Sequence, residues 1–199
     1  MQHYFIDKEH KKEDFFEFEQ NFLNLSLIFK SCDSVFSKDE IDYGTKVLLS
    51  TINKKIELNG NILDVGCGYG VIGIVLSKLY ENVTIDMIDI NNTAVELSKF
   101  NAIKNRCKNI DKINYSNAFE KVDKVYDFVV TNPPIKAGKE NLLNILVGAK
   151  EHLTENGELI FVIKKKHGQE SVKKILEQNY SFVEILNRDS GYYVMRAVK

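Results

Sequence analysis

From residue 61 onwards, short apolar runs alternate with stretches whose apolar positions recur at helical spacing. A continuous apolar run is what a strand buried on both faces requires, so the alternation predicts a parallel sheet covered by helices. Strands are expected at Ile62–Val65, Val83–Asp89, Lys112–Ser116, Val125–Thr131 and Glu158–Ile163. Helices are expected near Gly70–Tyr80, Asn92–Lys104, Lys139–Leu153 and Gln169–Gln178. Two β-rich runs, Ser181–Leu186 and Tyr192–Val198, flank Asp189-Ser190-Gly191 and should form a hairpin. The simplest count is seven strands in a mixed sheet, the last one antiparallel, with helices on both faces.

The first 55 residues read differently. Phe15–Glu19 and Leu23–Phe29 alternate with period two around Gln20-Asn21, which predicts a small hairpin. A polar stretch, Phe36 to Thr45, then leads into the helical Val47-Leu48-Leu49. Residues 1–55 are therefore taken as an N-terminal extension on a core of residues 56–199, together one structural domain.

Composition narrows the setting. A chain of 199 residues, 44% hydrophobic, is long enough to bury a sizeable core. Cys32, Cys67 and Cys107 are scattered without metal-ligand spacing, and the four histidines do not cluster with them, so neither a disulfide framework nor a bound metal is expected. The longest uncharged stretch, Val65 to Ser77, is shorter than a membrane span and is interrupted by glycines. Asp7, Lys8, Glu9, Lys11 and Lys12 leave no apolar signal region, and a cytoplasmic location is expected. The net charge is −1, so contact with a polyanion has to be local. The dense basic run is Lys164-Lys165-Lys166.

Two segments carry candidate chemistry. After the first parallel strand comes Asp64-Val65-Gly66-Cys67-Gly68-Tyr69-Gly70-Val71-Ile72-Gly73, with four glycines in eight residues. Such a loop lets backbone approach a ligand, and Asp89 at the end of the next strand is placed to hold the two hydroxyls of a ribose. Gly68 to Gly73 also fits the dinucleotide pattern, a weak signal taken alone. The second segment is Asn132-Pro133-Pro134-Ile135, which follows the strand ending at Thr131 and contains both prolines of the chain. Each residue before a proline is held extended, and prolines offer carbonyl acceptors without a competing N–H. The Asn132 side-chain oxygen and the Pro133 carbonyl can each accept one hydrogen of a substrate amino group, leaving the nitrogen's third direction free.

Ile62–Gly68, Asp89 and Asn132–Ile135, in this order and spacing, resemble a class I S-adenosylmethionine-dependent methyltransferase. More narrowly, Phe36-Ser37-Lys38-Asp39, Asp42-Tyr43-Gly44-Thr45 and Ser116-Asn117-Ala118-Phe119 resemble the short single-domain form of the small-subunit ribosomal RNA guanine-N2 methyltransferases. The resemblance runs from about Tyr4 to Lys199 and implies a Rossmann-like α/β fold. It also implies S-adenosylmethionine as cofactor, S-adenosylhomocysteine as product, no metal, and ribosomal RNA or the small subunit as partner.

By this resemblance, Gly66, Cys67, Gly68 and Gly70 line the methionine and ribose, and Asp64 reaches the methionine amino group. Asp89 binds the ribose, Ile90 packs beside the adenine, and Asn117 and Ala118 meet the adenine edge. Thr45 meets the methionine carboxylate. Asn132, Pro133, Pro134 and Ile135 form the catalytic hook, with Asn132 also near the cofactor. Ile135 departs from the family, which has a stacking aromatic there; Phe36 and Phe119 are the candidate replacements. Lys164, Lys165 and Lys166 are candidates for gripping RNA phosphates. The same hook serves adenine amines in DNA and glutamine amides in protein, and a non-catalytic RNA-binding or assembly module is the reading from another class. Monomer or oligomer is left open.

Overall fold

The structure, a computed structural model, describes residues 15–35, 37, 39–134 and 138–199. A hairpin of β1 (Phe15–Phe22) and β2 (Leu25–Cys32) precedes α1 (Tyr43–Lys55). Then come β3 (Gly60–Val65), α2 (Val71–Leu79), β4 (Val83–Asp89), α3 (Asn92–Lys104), β5 (Ile110–Tyr115) and β6 (Tyr126–Thr131). The chain finishes with α4 (Lys139–Gly148), β7 (Leu153–Lys164), α5 (Gln169–Asn179), β8 (Phe182–Asp189) and β9 (Tyr192–Val198). The main sheet has seven strands in the order β5-β4-β3-β6-β7-β9-β8. β9 runs antiparallel to both of its neighbours, and the other neighbouring pairs are parallel. The expected mixed sheet with an antiparallel last strand is therefore observed.

Strand pleating sorts the apolar residues into two cores. Ile62, Ile85, Met87, Val130, Ile160, Val162 and Val194 pack on one face with Leu48 and Ile52 of α1, Ile74 of α2 and Val95 of α3. Leu63, Val65, Val129, Leu159, Phe161, Ile163 and Met195 pack on the other with Leu146 of α4 and Leu176 of α5. This period-two division is what a sheet covered on both sides demands.

Several boundaries move, each for a local reason. The first hairpin turns at Leu23-Asn24, not Gln20-Asn21: these two residues take φ of 50° and 62°, and Phe22 pairs with Leu25. Both central residues left-handed is the turn that matches strand twist, and asparagine tolerates it. Helix α1 begins at Tyr43, four residues ahead of the apolar Val47 run, because Asp42 caps it by accepting from Thr45 N. The helix expected to reach Leu153 stops at Gly148, and a 3₁₀ turn, Ala149–His152, follows. Leu153 instead opens β7 opposite Tyr126, and the register jumps to Phe128 opposite Glu158 across a bulge containing Asn156 at φ 64°.

The hairpin is stitched to α3 by two asparagines one helical turn apart. Asn105 accepts from Ile28 N at 3.0 Å and donates to Ile28 O at 2.7 Å. Asn101 does the same for Lys30, at 2.7 and 2.9 Å. Two side-chain amides thus take the place of a neighbouring strand along β2. Asn101 also donates to Tyr69 O at 2.8 Å, so the stitch reaches the glycine loop.

Candidate active site

The parallel strands deliver the glycine loop and the hook to one edge of the sheet. β3 ends at Val65, whose carbonyl accepts from Thr131 Oγ1 at 2.7 Å, so the ends of β3 and β6 are tied side by side. The loop leaves β3 with Gly66, Gly68 and Gly70 at φ of 71°, 58° and 99°, a conformation that favours glycine. A side-chain carbon on Gly68 would meet nothing within 4 Å, while one on Gly66 would stand 4.0 Å from Cδ of Pro134. The hook therefore borders the glycine loop at Gly66, and the space over Gly68 is open. Gly73 serves packing instead, since a Cβ there would lie 2.6 Å from Met87 Sδ; its absence lets α2 settle onto β4.

Beneath the loop, Asp64 is fully buried. Its Oδ2 accepts from Gly73 N at 3.0 Å, and its Oδ1 is buried without a hydrogen-bond partner among the described residues. Burial pushes the Asp64 carboxyl up to about 7, opposed by the Gly73 N–H and assisted by the negative charge of Asp89. Asp89 accepts from Gly68 N at 2.8 Å through one oxygen and from Asn91 N at 2.8 Å through the other. Burial raises its pKa, and these N–H groups oppose the rise. Cys67 turns its side chain inward against Ser98, at 3.5 Å, so it can face the loop's open side with backbone alone. Ser98 also donates to Gly68 O at 2.8 Å.

The next strand end adds a third wall. Ser116 N donates to Asp89 O at 2.9 Å, and Ser116 Oγ donates to Ala118 O at 2.7 Å, holding Ala118 at φ 44°. Ile90 is half-buried next to Asp89 in sequence, and Asn117 is exposed and donates to Glu120 Oε1 at 2.6 Å. Phe119 stacks on His152 with ring centroids 4.6 Å apart and packs against Gly148. Its ring is thus committed to the α4 side of the fold. Phe36 and Ile135 lie outside the described residues.

At the hook, both amide hydrogens of Asn132 have acceptors. Its Nδ2 donates to Thr45 Oγ1 at 2.9 Å and to Asp42 Oδ2 at 3.1 Å. With the nitrogen held this way, the side-chain oxygen is the atom left for a ligand. Pro133 is buried and Pro134 half-buried, which fixes the extended backbone behind Asn132. Asp42 enters from sequence only as part of the segment Asp42–Thr45, with no role of its own, although its spacing to Thr45 is that of a helix N-cap. Tyr69, whose hydroxyl donates to Ser37 O at 3.0 Å and Glu40 O at 3.1 Å, was also missed; it pins the stretch before α1 to the glycine loop.

Lys164 ends β7 at the same edge, with Lys165 and Lys166 exposed in a 3₁₀ turn. The Lys164 ammonium lies 4.7 Å from the centre of the Tyr192 ring. Hydrogen bonding to the Tyr192 hydroxyl raises the Lys164 pKa above its ordinary value. Among the described residues, no group of three or more His, Cys, Asp or Glu side chains is placed to hold a metal ion. No described helix is long and apolar enough to cross a membrane.

Comparison with known proteins follows the same lines. The sequence matches the family model of the methyltransferase small domain over residues 26–196. The uncharacterized protein YbxB of Bacillus subtilis (strain 168) is 40% identical over 200 residues, spanning 100% of this chain and 98% of its own. The ribosomal RNA small subunit methyltransferase C of Buchnera aphidicola subsp. Cinara cedri is 36% identical over 175 residues, 86% of this chain but 49% of that protein. The chain thus spans about half the length of the relatives that carry this name. Among solved structures, the T. thermophilus 16S rRNA N2 methyltransferase, in complex with AdoMet and guanosine, superimposes with a TM-score of 0.83 at 21% identity, over 93% of this chain and 50% of that one. At that identity the likeness speaks for the fold. With the family model covering both the glycine loop and the hook, the chain belongs to the methyltransferase small domain family.

Proposed function

We propose that this chain transfers a methyl group from S-adenosylmethionine to the exocyclic N2 amine of a guanine in small-subunit ribosomal RNA, releasing S-adenosylhomocysteine. The observation that carries the reading is Asn132: Thr45 and Asp42 hold its nitrogen, which leaves its oxygen as the acceptor, in a hook whose Pro134 borders Gly66 of the glycine loop. An amine gripped there by the Asn132 oxygen and the Pro133 carbonyl keeps its third direction free. The names of the relatives favour ribosomal RNA over DNA or a protein amide, and the guanosine held by the structural neighbour favours a guanine.

The residues present fit the cofactor. Asp64 Oδ1 is a buried acceptor without a partner among the described residues, and an ammonium group would satisfy it. Asp89 accepts from backbone N–H groups at Gly68 and Asn91 and retains lone pairs for a ribose diol. Gly66, Gly68 and Gly70 would border the methionine and ribose, with the backbone of Cys67 between them. Ile90, Asn117 and Ala118 would border the adenine, and Thr45, whose oxygen accepts from Asn132, has a hydroxyl hydrogen left for the methionine carboxylate.

When bound, S-adenosylmethionine supplies a methyl already activated by its sulfonium. The chain's own work is then placement, which can supply roughly 7 to 11 kcal/mol of the barrier. Two hydrogen bonds from the amine to the Asn132 oxygen and the Pro133 carbonyl favour a pyramidal nitrogen with its lone pair directed at the glycine loop. Pro134 and the tie between Thr131 and Val65 keep that direction rigid. The amine's surplus proton leaves after the nitrogen has become cationic and acidic, so no strong base is needed.

Ribosomal RNA or the assembled small subunit is the proposed partner, and the cytoplasm the proposed location. The test is transfer of labelled methyl to small subunits from cells lacking this gene, followed by nucleoside analysis. Label in N2-methylguanosine is expected; label in another nucleoside, in protein or nowhere overturns the assignment. Lys164, Lys165 and Lys166 are proposed phosphate contacts. Replacing all three by alanine should flatten the salt dependence of RNA binding by roughly two to three log–log slope units while leaving cofactor affinity unchanged.

A further inference from the structure

Beside the hook lies an aromatic surface that the proposed reaction does not use. Tyr43, the first residue of α1, is 45% exposed despite its size. Its ring lies 5.6 Å from that of Tyr192, inclined by 49°, and Lys164 caps Tyr192 at 4.7 Å. The Tyr43 hydroxyl donates to Asp189 Oδ1 at 3.1 Å and lies 3.2 Å from Ser190 Oγ. An isolated exposed tyrosine is ordinary. This one is held at both ends, by the inclined ring of Tyr192 beside it and by the β8–β9 turn at the hydroxyl.

The shelf is joined to the atoms that orient Asn132. Tyr43 stands between Asp42 and Gly44, and Thr45 follows. Gly44 is where Tyr192 packs onto the start of the helix: a Cβ there would be 2.7 Å from Tyr192 Cε1. Lys165 N donates to Gly191 O at 2.8 Å, which fixes the lysine turn against the same hairpin. A pre-positioned aromatic face, bordered by three lysines and adjoining a group that grips an amine, has the two components of a single-strand nucleic-acid site. These are a ring on which a base stacks and cations that neutralise its phosphates.

We propose that Tyr43, backed by Tyr192 and bordered by Lys164–Lys166, is the stacking platform for an unpaired nucleotide flanking the target guanine. The inference rests on the RNA reading above and adds to it the state of the substrate, a single strand on the side of the target that crosses α1. Paired RNA buries its base faces in its own stack, so a helical flank cannot occupy the ring.

The test uses the full chain and a fluorescent, unpaired oligoribonucleotide containing one guanine, alone or annealed to its complement. Methyl transfer to RNA by the wild type is measured alongside. The wild type should bind the unpaired strand more tightly than the duplex. Tyr43→Leu should weaken the unpaired strand on the order of 10-fold and abolish that preference, whereas Tyr43→Phe, which keeps the ring, should retain both. Cofactor affinity should be unchanged in both variants, while the melting temperature should fall modestly in both, since Tyr43→Phe gives up the Asp189 bond and Tyr43→Leu the Tyr192 contact as well. Equal binding of strand and duplex by the wild type, or an unaffected Tyr43→Leu, overturns the platform even while methyl transfer to RNA persists. Absence of methyl transfer to any RNA by the wild type overturns the underlying reading as well.

Discussion

Asn132→Ala is expected to lower turnover on RNA by about 100-fold or more, with S-adenosylmethionine still bound at near wild-type affinity. Removing a single preorganised polar contact to the reacting group commonly costs this much. The arrangement here makes the loss specific. Asn132 is an acceptor toward a ligand because two other side chains consume its donors, at 2.9 and 3.1 Å. Single-turnover methyl transfer measures the effect, and equilibrium titration of the cofactor separates it from binding. Asp42→Ala gives a graded companion. It removes one of the two acceptors and the cap of α1, so a smaller loss of turnover is expected together with lowered stability of about 1 kcal/mol. Full activity of Asn132→Ala would remove the hook from the mechanism.

The second large effect concerns pH. Cofactor affinity should strengthen by up to tenfold per unit as pH rises towards 7, and then level off. The sign follows from Asp64. Burial pushes its carboxyl up to about 7, so the free protein holds a proton there below that pH. A cofactor ammonium beside Oδ1 favours the ionised form, so binding below pH 7 releases the proton and becomes tighter as protons grow scarce. Above about 8 an α-amino group itself begins to lose its charge, so affinity should fall again. Calorimetric titration in buffers of different ionisation enthalpy reports the proton directly. Asp64→Asn should bind more weakly at pH 7.5 and lose the acid-side dependence; an unchanged profile would place the ammonium elsewhere.

Much of this was legible because it is written in local pattern. Ile62–Val65 and Val129–Val130 are apolar without interruption because both faces of the sheet are covered, save for Asp64, and the glycines at 66, 68 and 70 announce backbone that other residues adopt at a cost. The adjacent prolines stiffen a strand end wherever they stand. What escaped is tertiary. The Leu23-Asn24 turn is hidden because Phe22, Leu23 and Leu25 are all apolar and alternation alone does not say where the chain reverses. At the early end of α4, Gly148 lies against Phe119, a contact between residues 29 apart that no local pattern shows. Asn101, Asn105 and Asp42 look like ordinary surface polar residues until the fold brings Ile28, Lys30 and Asn132 to them.

Those same stitches govern the order of assembly. The amides of Asn101 and Asn105 close chain segments of 71 and 77 residues onto the hairpin, and Asp42 closes one of 90 onto Asn132. Contacts of such separation carry loop-closure entropy before they return anything, and a hairpin of two strands has little stability of its own. Ile28, Lys30 and Asp42 are synthesised well before the side chains they bond to, Asn105, Asn101 and Asn132. The hairpin and the start of α1 therefore wait on residues far along the chain, and until Asp42 and Thr45 meet Asn132, its amide has neither of the acceptors that aim it.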